Sequence, residues 1–179
     1  MKIKLSFLFL VISLGLFAAA GFAVWERFYD PNRLAIFGQG NSPSNKAPAS
    51  ASAPARLDIP SLGLSHEVLP AEVKGNSWPS TKSGVSYLLS SAEVGSGNTV
   101  IYGHNWPRIL GNLSKLKVGE SIKLTTQGGS EVTYVVYEAR TIDPHTVSIL
   151  DPSTDPILTL YTCSGLFDSK RLVVFAKMQ

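Results

Sequence analysis

From Arg56 onward the chain shows no long amphipathic helical period. Seven short runs rich in β-branched, aromatic and aliphatic residues take its place, separated by turn-forming Gly, Pro, Asn and Ser. Such punctuation restricts this part to a mainly β architecture of short strands. "ARLDIPSLGL" reads as a strand followed by a turn at Pro60 to Gly63. "SHEVLPAEV" reads as a second strand, with Pro70 confining it to an edge or a bulge because proline has no amide hydrogen to donate. "GNTVIYGH" is a third. "NLSKLKVGESIKLTT" gives one or two helical turns and then a strand over Ile122 to Thr126. "SEVTYVVYEARTI" alternates, with Val132, Tyr134 and Val136 on one face and Thr133, Val135 and Tyr137 on the other. "ILTLYTC" and "RLVVFAK" complete the set. A closed barrel or a sandwich fits this pattern, and closure removes exposed strand edges.

The first 55 residues are of another kind. Leu5 to Trp25 carries no charge, and a helix of that length spans roughly 31 Å, enough to cross a bilayer core. Lys2 and Lys4 precede it, which predicts a cytoplasmic amino end. Trp25, Phe28 and Tyr29 follow at the expected outer interface. A cleaved signal peptide is the competing reading, with Ala18, Ala20, Gly21 and Ala23 as small residues near a cleavage point, but the apolar run is long for one. "GQGNSPSNKAPASASAPA", Gly38 to Ala55, has one charge and no large apolar residue. It predicts a flexible tether, because it cannot bury enough surface to offset the entropy of ordering. The expected organisation is a membrane anchor over 1–30, a linker over 31–55 and one folded domain over 56–179.

Charge supports that division. The chain has 16 Lys and Arg against 13 Asp and Glu, but the folded part carries 11 of each. The basic excess is confined to the amino-terminal segment, which argues for membrane topology and against nucleic-acid binding.

The folded part holds the only cysteine of the chain, Cys163. No internal disulfide is possible, so in an exported domain this thiol is either a small buried hydrophobe or a reactive group. On "ILTLYTC" it shares a face with Thr159 and Tyr161. Arg171 follows after the seven residues "SGLFDSK". If the two strands form a hairpin, Cys163 ends one and Arg171 opens the next. A guanidinium there can favour a thiolate or stabilise an oxyanion. A thiol nucleophile also needs an imidazole. His66 lies in an early strand expected to be solvated, and His145 lies in the turn-like "DPHT". His104 ends "NTVIYGHN" at a strand mouth. If its strand lies parallel to and beside that of Cys163, the two groups meet at one end of the barrel.

These residues resemble the sortase family. "TLYTC" is similar to the sortase signature Thr-Leu-x-Thr-Cys, an arginine stands on the next strand, and "YGHN" resembles the segment bearing the sortase histidine. "LDIPSLGL" and "NLSKLKVGESIKL" also resemble sortase segments, so the likeness extends over residues 56 to 179. It implies a closed eight-stranded β-barrel with one or two short helices, and a cysteine transpeptidase acting on Leu-Pro-x-Thr-Gly-type sorting motifs. Carried over, Cys163 is the nucleophile, His104 the acid and base, and Arg171 the oxyanion or substrate holder. Thr162 and Asn105 are the expected substrate-binding residues. The implied partners are secreted proteins with such a motif near the carboxyl end, and an amine acceptor from a peptidoglycan precursor or a pilin lysine. The implied location is a single-pass cell membrane protein with its catalytic domain outside. The short Cys-to-Arg loop resembles the smaller sortase classes.

No cofactor and no metal is expected. Asp143, Asp151 and Asp155 match no calcium loop and read as turn formers. A peptidoglycan cross-linking cysteine transpeptidase with a Ser-His-Gly-Cys-x-Arg pattern fits poorly. A non-catalytic peptide-binding barrel, or a hydrolase using water as acceptor, remains open on sequence alone.

Overall fold

A computed structural model describes residues 5–29, 50–73 and 78–179. Helix α1 (Leu5–Tyr29) contains one stretch, Phe7–Trp25, long and apolar enough to cross a membrane. Its side chains are exposed throughout that stretch, as an apolar surface that meets lipid would be. Lys2 and Lys4, and residues 31–49 of the expected linker, lie outside the described residues.

The rest is a closed barrel of eight strands: β1 (Pro54–Ile59), β2 (Leu64–Ala71), β3 (Val85–Leu88), β4 (Asn98–Gly103), β5 (Ser121–Thr126), β6 (Glu131–Ile142), β7 (Ile157–Ser164) and β8 (Lys170–Met178). Around the barrel the order is β1-β2-β3-β4-β7-β8-β6-β5, closing back on β1. Pairs β2–β3 and β4–β7 are parallel and the others antiparallel. The parallel pairs require crossovers. The β4-to-β7 crossover consists of the β5–β6 hairpin and its flanking loops.

Alternation along the strands builds two apolar clusters. Leu57, Ile101, Leu124, Tyr134, Leu158, Leu160 and Val174 belong to the larger one, which fills the barrel. Val100, Tyr102, Tyr161, Cys163 and Val173 belong to the second. Successive residues point to opposite faces, so β4 and β7 supply both clusters and are buried on both sides. Val132, Tyr134 and Val136 do share the inward face of β6, and a bulge follows Val136.

Three expectations need correction. First, the last residues of the expected linker are tied to the barrel. Gly128, Gln127 and Val94 donate backbone hydrogen bonds to the carbonyls of Ala51, Ala53 and Ser52, and Pro54 already opens β1. These contacts use only the main chain, so linker-like composition does not prevent them. Second, the eight strands that the resemblance implies are present, and the one without a run assigned to it is β3, a four-residue strand with no alternating burial. Third, His66 is not fully solvated. It stands opposite Leu57 across β1–β2 and therefore shares its inward face. Its Nε2 is covered and has no hydrogen-bond partner among the described residues. Pro70 behaves as expected, since the β1 pairing stops at Glu67 and only β3 flanks it.

Candidate active site

Two ladders place three side chains together. In the antiparallel β7–β8 ladder Cys163 is the direct partner of Arg171. In the parallel β4–β7 ladder the register runs from Asn98 with Ile157 to Gly103 with Thr162. The next step along both strands brings His104 beside Cys163, with backbones about 4.8 Å apart. His104 continues the face of Tyr102, and Cys163 continues the face of Tyr161. Imidazole, thiol and guanidinium thus gather at one mouth of the barrel. They are 7%, 2% and 2% exposed respectively, so water has little access to any of them.

The arginine is held from its own loop. Its Nη1 donates to the carbonyls of Asp168 at 2.9 Å and Lys170 at 3.0 Å. Reaching the first carbonyl requires an unusual turn. Phe167 (φ 52°) and Asp168 (φ 58°) both adopt the left-handed region, which costs a non-glycine residue roughly 1–2 kcal/mol. Gly165 enters this turn with φ 77°, where a Cβ would also lie 2.9 Å from Ser169 Oγ. Leu166 and Phe167 project into solvent at the tip.

The histidine is held on two sides. Its ring stacks on Trp106 at 4.4 Å between centroids and 9° between planes. The Arg108 guanidinium lies over the Trp106 ring, 5.2 Å from its centroid. Nε2 is hydrogen-bonded to Ser80 Oγ at 3.0 Å. Tyr102 and Tyr161 stack behind the site at 5.4 Å, and Trp78 meets both edge-on. Burial raises the pKa of both phenols above the ordinary tyrosine value. They stay neutral at physiological pH.

The loop after β6 is pinned over the same cluster. Asn98, buried at the start of β4, donates to the carbonyls of Ile149 and Asp151 and accepts from Thr159 Oγ1. Asp143 forms a turn with its Oδ1 accepting from the His145 amide, and the same oxygen meets His145 Nδ1 at 2.7 Å. These bonds and the Lys170 ion pair at 3.3 Å hold its carboxyl down to about 2. His145 is exposed and stands in this loop.

Of the two expected substrate contacts, Asn105 is half-buried beside His104. Thr162 faces the other way from Cys163, as strand neighbours must. It is 1% exposed and donates to the Gly103 carbonyl at 2.7 Å, so it fastens β7 to β4 directly beneath the site. Ser80 and Trp78 were missed in the sequence. They come from the segment between β2 and β3, and no periodic signal marks them. Trp78, an aromatic among Asn, Ser and Pro, was the one usable hint.

A barrel that brings a cysteine, a histidine and an arginine to one mouth defines a class, and sequence comparison supplies the family. The sortase domain family model matches residues 57–179, so the chain belongs to the sortase family. Sortase A of Listeria monocytogenes is 30% identical over 110 residues, which are 59% of this chain and 49% of that protein. The chain therefore spans about half the length of the curated relative it matches. The crystal structure of Listeria monocytogenes sortase A superposes with a TM-score of 0.61 at 26% identity, covering 72% of this chain and 88% of that one. Sortase C-3 of Streptococcus pneumoniae gives 0.63 at 25% identity, covering 83% and 72%. A Clostridium perfringens sortase described as a transpeptidase shares the fold, with a TM-score of 0.60 at 24% identity over 71% of this chain and 79% of that one.

Proposed function

We propose that this chain is a membrane-anchored cysteine transpeptidase that cuts a Leu-Pro-x-Thr-Gly-type sorting motif and joins the new acyl end to an amine. The observation that carries this reading is the double register, Cys163 opposite Arg171 and one step beyond Gly103–Thr162 beside His104.

In the proposed reaction the Cys163 thiolate attacks the threonine carbonyl. Negative charge develops on the carbonyl oxygen, and the Arg171 guanidinium stabilises it. The carbonyls of Asp168 and Lys170 already fix that guanidinium, so little reorganisation accompanies the step. His104 gives a proton to the departing glycine amine as the carbon–nitrogen bond breaks, leaving a thioacyl enzyme. It then takes a proton from the incoming amine, which attacks the thioester and releases Cys163. Dividing the exchange into two acyl transfers lowers each barrier. The low exposure of the three groups favours an amine held in place over diffusing water. Helix α1 is the membrane anchor in this reading, with Lys2 and Lys4 on the cytoplasmic side and the barrel outside. Secreted proteins bearing the motif supply the acyl group. A peptidoglycan precursor or a pilin lysine supplies the amine.

The test is intact-mass spectrometry of the full-length chain in detergent, mixed with a panel of sorting-motif peptides, with and without an added amine. The expected result is a mass gain equal to the peptide cut after threonine, absent in Cys163→Ala, and a ligated product once the amine is present. Hydrolysed product alone at saturating amine would replace the transferase with a peptidase. An adduct that persists in Cys163→Ala would remove the nucleophile assignment.

A further inference from the structure

We propose that Ser80 is a positioning residue that holds the His104 ring in its working orientation through both of its charge states. This rests on the reading of His104 as the proton carrier.

Three contacts fix Ser80 where it is. Its Oγ lies 3.0 Å from His104 Nε2. The preceding residue, Pro79, accepts a 2.7 Å hydrogen bond from the Tyr102 hydroxyl. Trp78, 5% exposed, is wedged edge-on against Tyr102 and Tyr161. The clamp and the clamped group lie close along the chain, since Tyr102 is on β4 and His104 directly follows the strand two residues later. The Trp78–Pro79–Ser80 segment is thus fastened to the strand that leads into the histidine, and its position follows that strand.

A hydroxyl suits a histidine that must both give and take a proton. It accepts from Nε2–H when the ring carries a proton there and donates to Nε2 when it does not. Rotation about one bond converts one state to the other. A carboxylate at the same point would favour the charged ring and oppose the step in which the proton leaves. The Trp106 stack sets the ring plane, and a half-turn about the Cβ–Cγ bond would leave that plane unchanged. The Ser80 bond selects between the two, because the flip would put a ring carbon where Nε2 now meets the hydroxyl. Ser80 itself sits at the rim and is exposed, so packing alone gives no reason for a hydroxyl there.

The experiment compares wild type, Ser80→Ala and Ser80→Thr as full-length chains in detergent, reading the His104 ring nitrogens by NMR and the kinetics with a cleaved motif peptide. The expected result in Ser80→Ala is displaced ring-nitrogen signals and a kcat about tenfold lower, the size of one lost hydrogen bond, with KM changed less than about twofold. Ser80→Thr, which keeps the hydroxyl, should restore both. Tyr102→Phe, which frees the Pro79 carbonyl, should move the same signals in the same direction. Ring signals at their wild-type positions in Ser80→Ala would overturn the proposal, as would displaced signals with an unchanged kcat. Full activity in His104→Ala would instead remove the proton-carrier reading, and the role of Ser80 with it.

Discussion

Arg171 stands directly opposite Cys163 across the β7–β8 ladder, and its guanidinium is held by the carbonyls of Asp168 in the joining loop and of Lys170 at the start of β8. The loop therefore sets the direction in which the arginine's remaining donors point. A lysine at this position would keep the charge but present an ammonium with no planar fork. It could not hold the Asp168 and Lys170 carbonyls and an oxyanion with fixed geometry. Arg171→Lys is expected to lower kcat/KM by about 100-fold or more, the scale of losing one preorganised oxyanion donor. Thermal unfolding should shift little by comparison. A rate within about threefold of wild type would mean that Arg171 contributes charge alone.

Gly111 packs against the backbone of Trp106, the residue on whose ring His104 stacks. Its amide donates to the Trp106 carbonyl at 2.8 Å. A Cβ there would lie 2.6 Å from the Trp106 carbonyl carbon and 2.8 Å from the Pro107 nitrogen, both backbone atoms that cannot swing aside. Gly111→Ala must displace Trp106, and His104 stacks on that ring. The expected outcome is a loss of about 1–3 kcal/mol in stability, together with displaced His104 ring signals. Denaturant unfolding and NMR on the same sample check the two effects. Wild-type stability and unmoved signals would show that the 106–111 turn yields without cost.

These glycine and serine roles mark the limit of what was legible in the sequence. Cys163, His104 and Arg171 stand out in the sequence because each ends or opens a strand pattern and because their segments resemble the sortase motifs. Their meeting follows from ladder register. Thr162 was chosen for its place beside the cysteine, but strand geometry turns it toward the barrel interior, where it bonds Gly103. Adjacency in sequence put it near the site, and period two put it on the wrong face. β3 was missed because four residues buried on both faces show no alternation. Ser80 and Trp78 were missed because a long-range contact from an irregular segment leaves no period to read. The main-chain ties of Ala51, Ser52 and Ala53 to the barrel escaped for a related reason. Main-chain hydrogen bonds are blind to side-chain identity, so composition could not announce them.

Phe167 offers a test of where the fold tolerates strain. It holds φ 52° with its side chain 86% exposed, so little packing compensates the left-handed backbone. Asparagine adopts that region more readily and removes little buried surface. Phe167→Asn is expected to raise stability by up to about 1 kcal/mol. The Arg171 contacts should remain, because they use the Asp168 and Lys170 backbone and not the Phe167 ring. Differential scanning calorimetry reads the change. A lower Tm would show that the ring has a stabilising contact which outweighs the strain.

The loop after β6 should be resistant to acid. The Asp143 carboxyl is held down to about 2, first by the His145 amide, then by the His145 ring and Lys170. An aspartate depressed in the folded state contributes stability that is fully present above its unfolded value, about 3.9. That contribution is lost only as the pH falls toward the folded one. The tie from this loop to Lys170, next to Arg171, is therefore expected to persist through mildly acidic conditions and to loosen between about pH 4 and pH 2. Carboxyl carbon NMR of Asp143 should titrate near pH 2. In His145→Ala the midpoint should rise only part of the way toward the ordinary value, since the backbone amide remains and is the larger cause. A wild-type midpoint near 4 would mean that the turn is not formed in solution.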